Sequence, residues 1–123
     1  MEKQPIVAWT EINVTDLNAA CAYYADVFEW KMEIIQMGPQ NVAIFNGADE
    51  AAGGHLQEGT PAQGGGTVVH LTVPGTLEEA GARVAKAGGQ IVSPAIDIPD
   101  GRFQYMVDPD GNTVGMFELK AAA

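Results

Sequence analysis

The sequence predicts an α+β fold made of two βαβββ modules. Three observations carry this. A helical pattern recurs sixty positions apart, with Leu17, Cys21, Tyr24 and Phe28 answered by Leu77, Gly81, Val84 and Gly88. Between the two patterns, Gln57–Gly66 is rich in Gly, Pro, Thr and Gln and reads as an intermodule linker. Near the C-terminus, two short apolar runs flank Asp108-Pro-Asp-Gly-Asn112 and read as a hairpin. The 123 residues are expected to form one domain, with module one at about 5–57, the linker at about 58–66 and module two at about 67–120.

Each element follows from local pattern. Ile6–Val14 alternates as a strand, with Val7, Trp9, Glu11 and Asn13 on one face. Thr15 or Asp16 caps a helix from Leu17 to Phe28, whose inner face carries Leu17, Cys21, Tyr24 and Phe28. Lys31–Met37 reads as a strand closed by Gly38-Pro39, Asn41–Asn46 as another, and Ala51–Leu56 as a weak fourth. In the second module Thr67–Val73 is a strand and Thr76–Ala87 a helix stopped by Gly88-Gly89. Gln90–Ile98 is a third strand, and the hairpin supplies the last two. In its turn the proline presets φ, Gly111 supplies φ > 0, and Asp110 and Asn112 can bond nearby backbone.

Composition excludes several classes. A formal charge of −10 argues against nucleic acid, whose phosphates need Lys and Arg to displace counterions. The acidic field instead favours a cationic ligand. No apolar run is long enough to span a membrane, and the opening residues lack the regions of a secretory signal. The lone Cys21, expected to be a buried thiol, cannot form an internal disulfide, so a cytoplasmic protein is expected. No Cys-x-x-Cys pair, nucleophile elbow or dinucleotide fingerprint is present, and Gly64-Gly-Gly66 lacks the following Lys-Ser/Thr of a phosphate loop.

An apolar strand, Asp108-Pro-Asp-Gly-Asn112 and a second strand resemble the closing hairpin of the glyoxalase / bleomycin-resistance / extradiol-dioxygenase (vicinal oxygen chelate) superfamily. Trp9-Thr-Glu-Ile-Asn-Val-Thr-Asp-Leu17, then Tyr23-Tyr24 and Val27-Phe28-Glu-Trp30, resemble that family's opening strand and helix. The resemblance implies a half-open, cleft-lining sheet built from the two modules, and a homodimer. It also implies metal-ligand positions at Trp9, Val68 and Gly115, with a fourth at Gly53 by the internal repeat. None of these side chains ligates a divalent ion, so the usual metal site is expected to be missing.

Two residues further along each strand stand Glu11, His55, His70 and Phe117, a step that preserves the strand face. Three readings stay open. Glu11, His55 and His70 can form a displaced triad for Fe or Zn, with Mn and Ni also possible. Glu11 and His70 can instead be a metal-free acid/base pair, or simply polar groups of a wet cleft. Trp9, Asn13, Tyr105 and Phe117 are candidate ligand contacts by stacking or hydrogen bonding, with Trp30 and Phe103 as further rings. Arg102 can clamp a carboxylate or phosphate, or pair with Asp100 or with a partner subunit. The leading expectation is a protein that binds a small cationic or aromatic molecule without a cofactor, as a binder or a lyase- or isomerase-like enzyme. The alternative is a metal-dependent glyoxalase-type isomerase or dioxygenase, and a third is a regulatory or structural dimer.

Overall fold

The computed structural model describes residues 7–48, 53–63 and 65–120. It holds two mixed sheets, each wrapped on one helix. In the first, β1 (Thr10–Val14) pairs parallel with β4 (Gly54–Glu58), then β3 (Gln40–Ile44) and β2 (Glu33–Met37) follow antiparallel. In the second, β5 (His70–Thr72) pairs parallel with β9 (Thr113–Leu119), β9 pairs antiparallel with β8 (Gly101–Val107), and β8 carries both β6 (Gln90–Ile91) and β7 (Ile96–Ile98). Helix α1 (Leu17–Phe28) follows β1 and α2 (Leu77–Ala87) follows β5. This is the α+β arrangement of two βαβββ modules that the repeat predicts, as two sheets. No described helix is long and apolar enough to cross a membrane.

Both helices start at caps readable in the sequence. Asp16 accepts from the Ala19 N–H, and Thr76 forms a reciprocal capping box with Glu79. Gly88 ends α2 at φ 99°, a conformation that costs glycine no Cβ clash. The sixty-residue repeat is real in the packing: Leu17 and Leu77, Ala20 and Ala80, Tyr24 and Val84 are all buried in one common core. Cys21 is only half-buried, because the buried stripe of α1 runs through Ala20, Tyr23, Tyr24, Val27 and Phe28 instead. Burial still pushes its thiol pKa up.

Several strand limits differ from the sequence expectation. β1 begins at Thr10, where its partner β4 begins, so Val7–Trp9 have no ladder to join. β3 ends at Ile44 because Phe45–Ala48 form a 3₁₀ turn, with Phe45 stacked on Trp30 at 4.9 Å. The expected strand over 90–98 is broken into β6 and β7 around Ser93-Pro94. Proline cannot donate to a ladder, and the Ser93 hydroxyl accepts from the Tyr105 N–H there. Gln57 and Glu58 belong to β4, and of the expected strand over 67–73 only His70–Thr72 pairs as β5. Ile6, residues 51–52 of the expected fourth strand, and Gly64 lie outside the described residues.

The closing turn joins the two modules. The Asp108 carboxylate, 3% exposed, accepts from the N–H groups of Asp110 and Asn112, the Asn112 amide and the Tyr24 hydroxyl. Asn112 in turn donates to the Asn13 carbonyl at 2.9 Å and accepts from the Ala62 N–H. The Thr15 hydroxyl and N–H both donate to Asp110. The turn's polar residues therefore fasten β1 and α1 to the second sheet.

Burial first, and then the Asp108 charge, raise the pKa of both Tyr23 and Tyr24 far above the ordinary phenol value of 10.0. An unfolded chain releases these protons near pH 10 while the folded chain keeps them, so stability is full below about pH 10 and falls above it. Urea midpoints measured at pH 8 and pH 10.5 should show this loss. A Tyr23→Phe/Tyr24→Phe variant should show a smaller one.

Candidate functional site

Parallel pairing of β1 with β4 sets Glu11 opposite His55 and Asn13 opposite Gln57. Their neighbours Ile12, Val14 and Leu56 point into the core, so alternation turns these four side chains to the open face of the first sheet. A one-way chain of hydrogen bonds crosses that face. The Trp9 indole N–H donates to His55 Nδ1 at 2.8 Å. Because an indole can only donate, Nδ1 must accept and the ring proton sits on Nε2. Nε2 then donates to Gln57 Oε1 at 2.9 Å, Gln57 Nε2 donates to Asn13 Oδ1 at 3.0 Å, and Asn13 donates to the Thr60 carbonyl. Glu11 Oε2 lies 3.8 Å from His55 Nε2, outside this chain, with its side chain 60% exposed.

The open face of the second sheet is aromatic. His70 touches Phe103 and Tyr105 edge-on at 5.2 and 5.5 Å, and Phe103 stacks on Phe117 at 6.5 Å. The His70 ring lies where a side chain on Gly115 would stand, since a Cβ added there would run into the imidazole. Gly115 is thus what admits His70 to this position. Arg102 belongs to the opposite face: its guanidinium pairs with Glu78 and Glu118, not with Asp100. Alternation along β8 separates it from Phe103 and Tyr105.

Along β1 and the 67–72 segment runs a groove of two neighbouring parts that share wall residues. The wide part, about 730 Å³, is walled by Trp30, Phe45, Val68, His70 and Leu71. The narrow part, about 240 Å³, is walled by Glu11, Asn13, Asn112 and Thr113, and both parts share Thr10, Thr67 and Val69. The wide part is of the size and apolar character that suit a small organic molecule.

The glyoxalase/bleomycin resistance protein/dioxygenase superfamily model matches residues 6–116. The chain belongs to that superfamily. Among curated proteins, two named "Putative glyoxylase CFP32", from Mycobacterium bovis and Mycobacterium tuberculosis, are each 29% identical over 118 residues. The match covers 89% of this chain but only 44% of those proteins, so the chain spans less than half their length. Among solved structures, the fosfomycin resistance protein FosX of Listeria monocytogenes superimposes with a TM-score of 0.68 at 17% identity, covering 96% of each chain. TnmS3, an antibiotic binding protein from Streptomyces sp. CB03234, gives 0.64 at 19% identity, covering 98% of this chain and 100% of its own. A family enzyme from Burkholderia phytofirmans PsJN gives 0.69 at 12%, covering 93% and 98%. At these identities the structures speak for the fold.

As a superfamily member this chain can be tested for the metal that the resemblance implies. Glu11 stands opposite His55 and His70 opposite Gly115, so the repeat makes His55, not Gly53, the counterpart of Gly115, and Gln57 that of Phe117. The ligand positions therefore hold Trp9, His55, Val68 and Gly115. Three of these have no ligating atom. In the fourth, His55, the Nδ1 lone pair accepts the hydrogen bond of the Trp9 indole N–H and Nε2 carries its own proton. These residues do not fit a metal ion. Of the displaced set, Glu11 and His55 come together while His70 stands on the other sheet. Among the described residues no three His, Cys, Asp or Glu gather as a metal cluster. Glu11 and His70 do not touch; they line the two parts of the groove.

Proposed function

We propose that this protein binds a small, planar organic molecule in the groove between its two sheets, without a metal ion. The observation that supports this most is the wide part of the groove, where the partly exposed Trp30 and the exposed His70 offer ring surfaces, and Val68, Leu71 and the buried Phe45 behind them make an apolar wall. The antibiotic-binding role of TnmS3, a fold relative, agrees with it. Trp9, Asn13, Tyr105 and Phe117 extend the contact surface onto the open faces, and Arg102, already paired, takes no part. The protein works as a homodimer in this reading, because Ile34, Met37, Ile96 and Ile98 expose apolar area on β2 and β7 that a second copy covers. Acid/base catalysis of a lyase or isomerase type is the second reading, favoured by Glu11 and His70 both lining the one groove.

The test is a titration with pyrenemethanol, a neutral planar probe, before and after exhaustive chelation, with elemental analysis of untagged protein. Saturable binding at one site per chain, unchanged by the chelator, is expected. One retained ion per chain, lost in both His55→Ala and His70→Ala, would overturn the metal-free reading. Absence of saturable binding would overturn the groove itself.

A further inference from the structure

We propose that the groove selects organic cations, with a positively charged nitrogen held at Glu11 and an aromatic body in the wide part. This rests on the small-molecule reading above and adds the charge of the ligand. Glu11 is the carboxylate of the narrow part, and none of the described lysines or arginines pairs with it. His55, opposite it on β4, does not neutralise it, because both ring nitrogens are committed to Trp9 and Gln57. The Trp9 indole, 43% exposed, stands just before β1 and bonds His55, the residue opposite Glu11, so it sets a ring that attracts cations near that carboxylate, outside the groove's own walls.

Among the described residues no lysine or arginine is part of the groove's walls. Arg83 of α2 donates to the carbonyls of Val27 and Pro74, and Arg102 is held by two glutamates on the helix side of β8. Lys86 and Lys120 lie away from both parts, and Lys31 follows Trp30 beside the wide part, bonding Asn46 through its backbone N–H, and does not reach into the walls of the narrow part. An anion entering the groove would therefore meet Glu11 with no described cation to balance it, whereas a cation gains the carboxylate and the ring. The net charge of −10 draws cations toward the whole molecule as well. A substitution that removes only the Glu11 charge separates this general field from the specific contact.

The experiment is a fluorescence titration with three probes that share one ring system and differ in charge: pyrenemethylamine, pyrenemethanol and pyrenecarboxylate. The ammonium should bind about tenfold more tightly than the alcohol, and the carboxylate more weakly still. Glu11→Gln should bring the ammonium to the alcohol's affinity and leave the alcohol unchanged. Asp26→Asn, the same charge change on the exposed side of α1, should leave the ammonium's advantage intact. Equal binding of all three probes, a preference for the carboxylate, or an advantage that survives Glu11→Gln would overturn the charge assignment while the groove reading stands. Binding of no probe would overturn both.

Discussion

Asp108→Ala should lower the folding free energy by about 2–4 kcal/mol, because it leaves several buried donors without an acceptor. The carboxylate is 3% exposed and receives four donors: two backbone N–H groups of its own turn, the Asn112 amide and the Tyr24 hydroxyl from α1. Alanine removes the acceptor and leaves those donors, and each buried donor left unpaired costs roughly 1–3 kcal/mol. The loss also loosens the join between modules, because Asn112 is the residue that bonds the Asn13 carbonyl. A domain of this size has about 5–15 kcal/mol in all, so the variant should unfold at a much lower urea concentration. Asp108→Asn keeps one acceptor oxygen and should fall between. A loss below about 1 kcal/mol for alanine would mean that water replaces the acceptor and that the turn is not a structural joint.

Val68→Trp should abolish ligand binding, by at least about a hundredfold, with little change in stability. Val68 is partly exposed, outside any strand, and on the wall of the wide part of the groove. A tryptophan there adds its bulk to the space a ligand needs, not to the packed core, so the usual penalty for overpacking does not apply. The melting temperature should stay within about 2 °C of wild type, a shift well under 1 kcal/mol for this chain length. The check is the pyrenemethanol titration run beside a thermal melt. Unchanged affinity with an unchanged melt would place the ligand elsewhere.

The sequence made the scaffold readable where local chemistry decides the outcome. Asp16 and Thr76 announce the helix starts, Gly88 announces a stop, and the pairs Leu17/Leu77 and Tyr24/Val84, sixty residues apart, announce two similar halves. Parity along the first strand likewise put Glu11 and Asn13 on one face, whereas Gln57, read as linker, joins His55 on that face only because β4 runs on to Glu58. What local pattern does not contain is pairing register. The Glu11–His55 contact comes from the parallel ladder of β1 and β4, which are joined through a helix and two strands. Nothing short-range distinguishes it from a Glu11–His70 pair.

The groove was less legible still. Its wide part lies along the non-hydrogen-bonded approach of β1 to the 67–72 segment, so its walls come from α1's end, the 3₁₀ turn and β5 together. Phe45 looks like ordinary core in the sequence, and in the structure it is both core and wall. The Trp9–His55 hydrogen bond had one visible signal, the absence of ligating side chains at Trp9, Val68 and Gly115, which left the histidine of β4 without partners for a metal. It did not say what the histidine would bond instead.

The central claim, that the groove between β1 and the 67–72 segment is the binding site, is tested most directly by mapping amide chemical shifts during a titration of the ¹⁵N-labelled protein with pyrenemethylamine. The account predicts shifts concentrated at Thr10–Asn13, Phe45–Asn46 and Thr67–Thr72, with the α1 surface around Asp26 silent. Shifts centred on α1 and the Asp108 turn, with the groove amides unmoved, would contradict it.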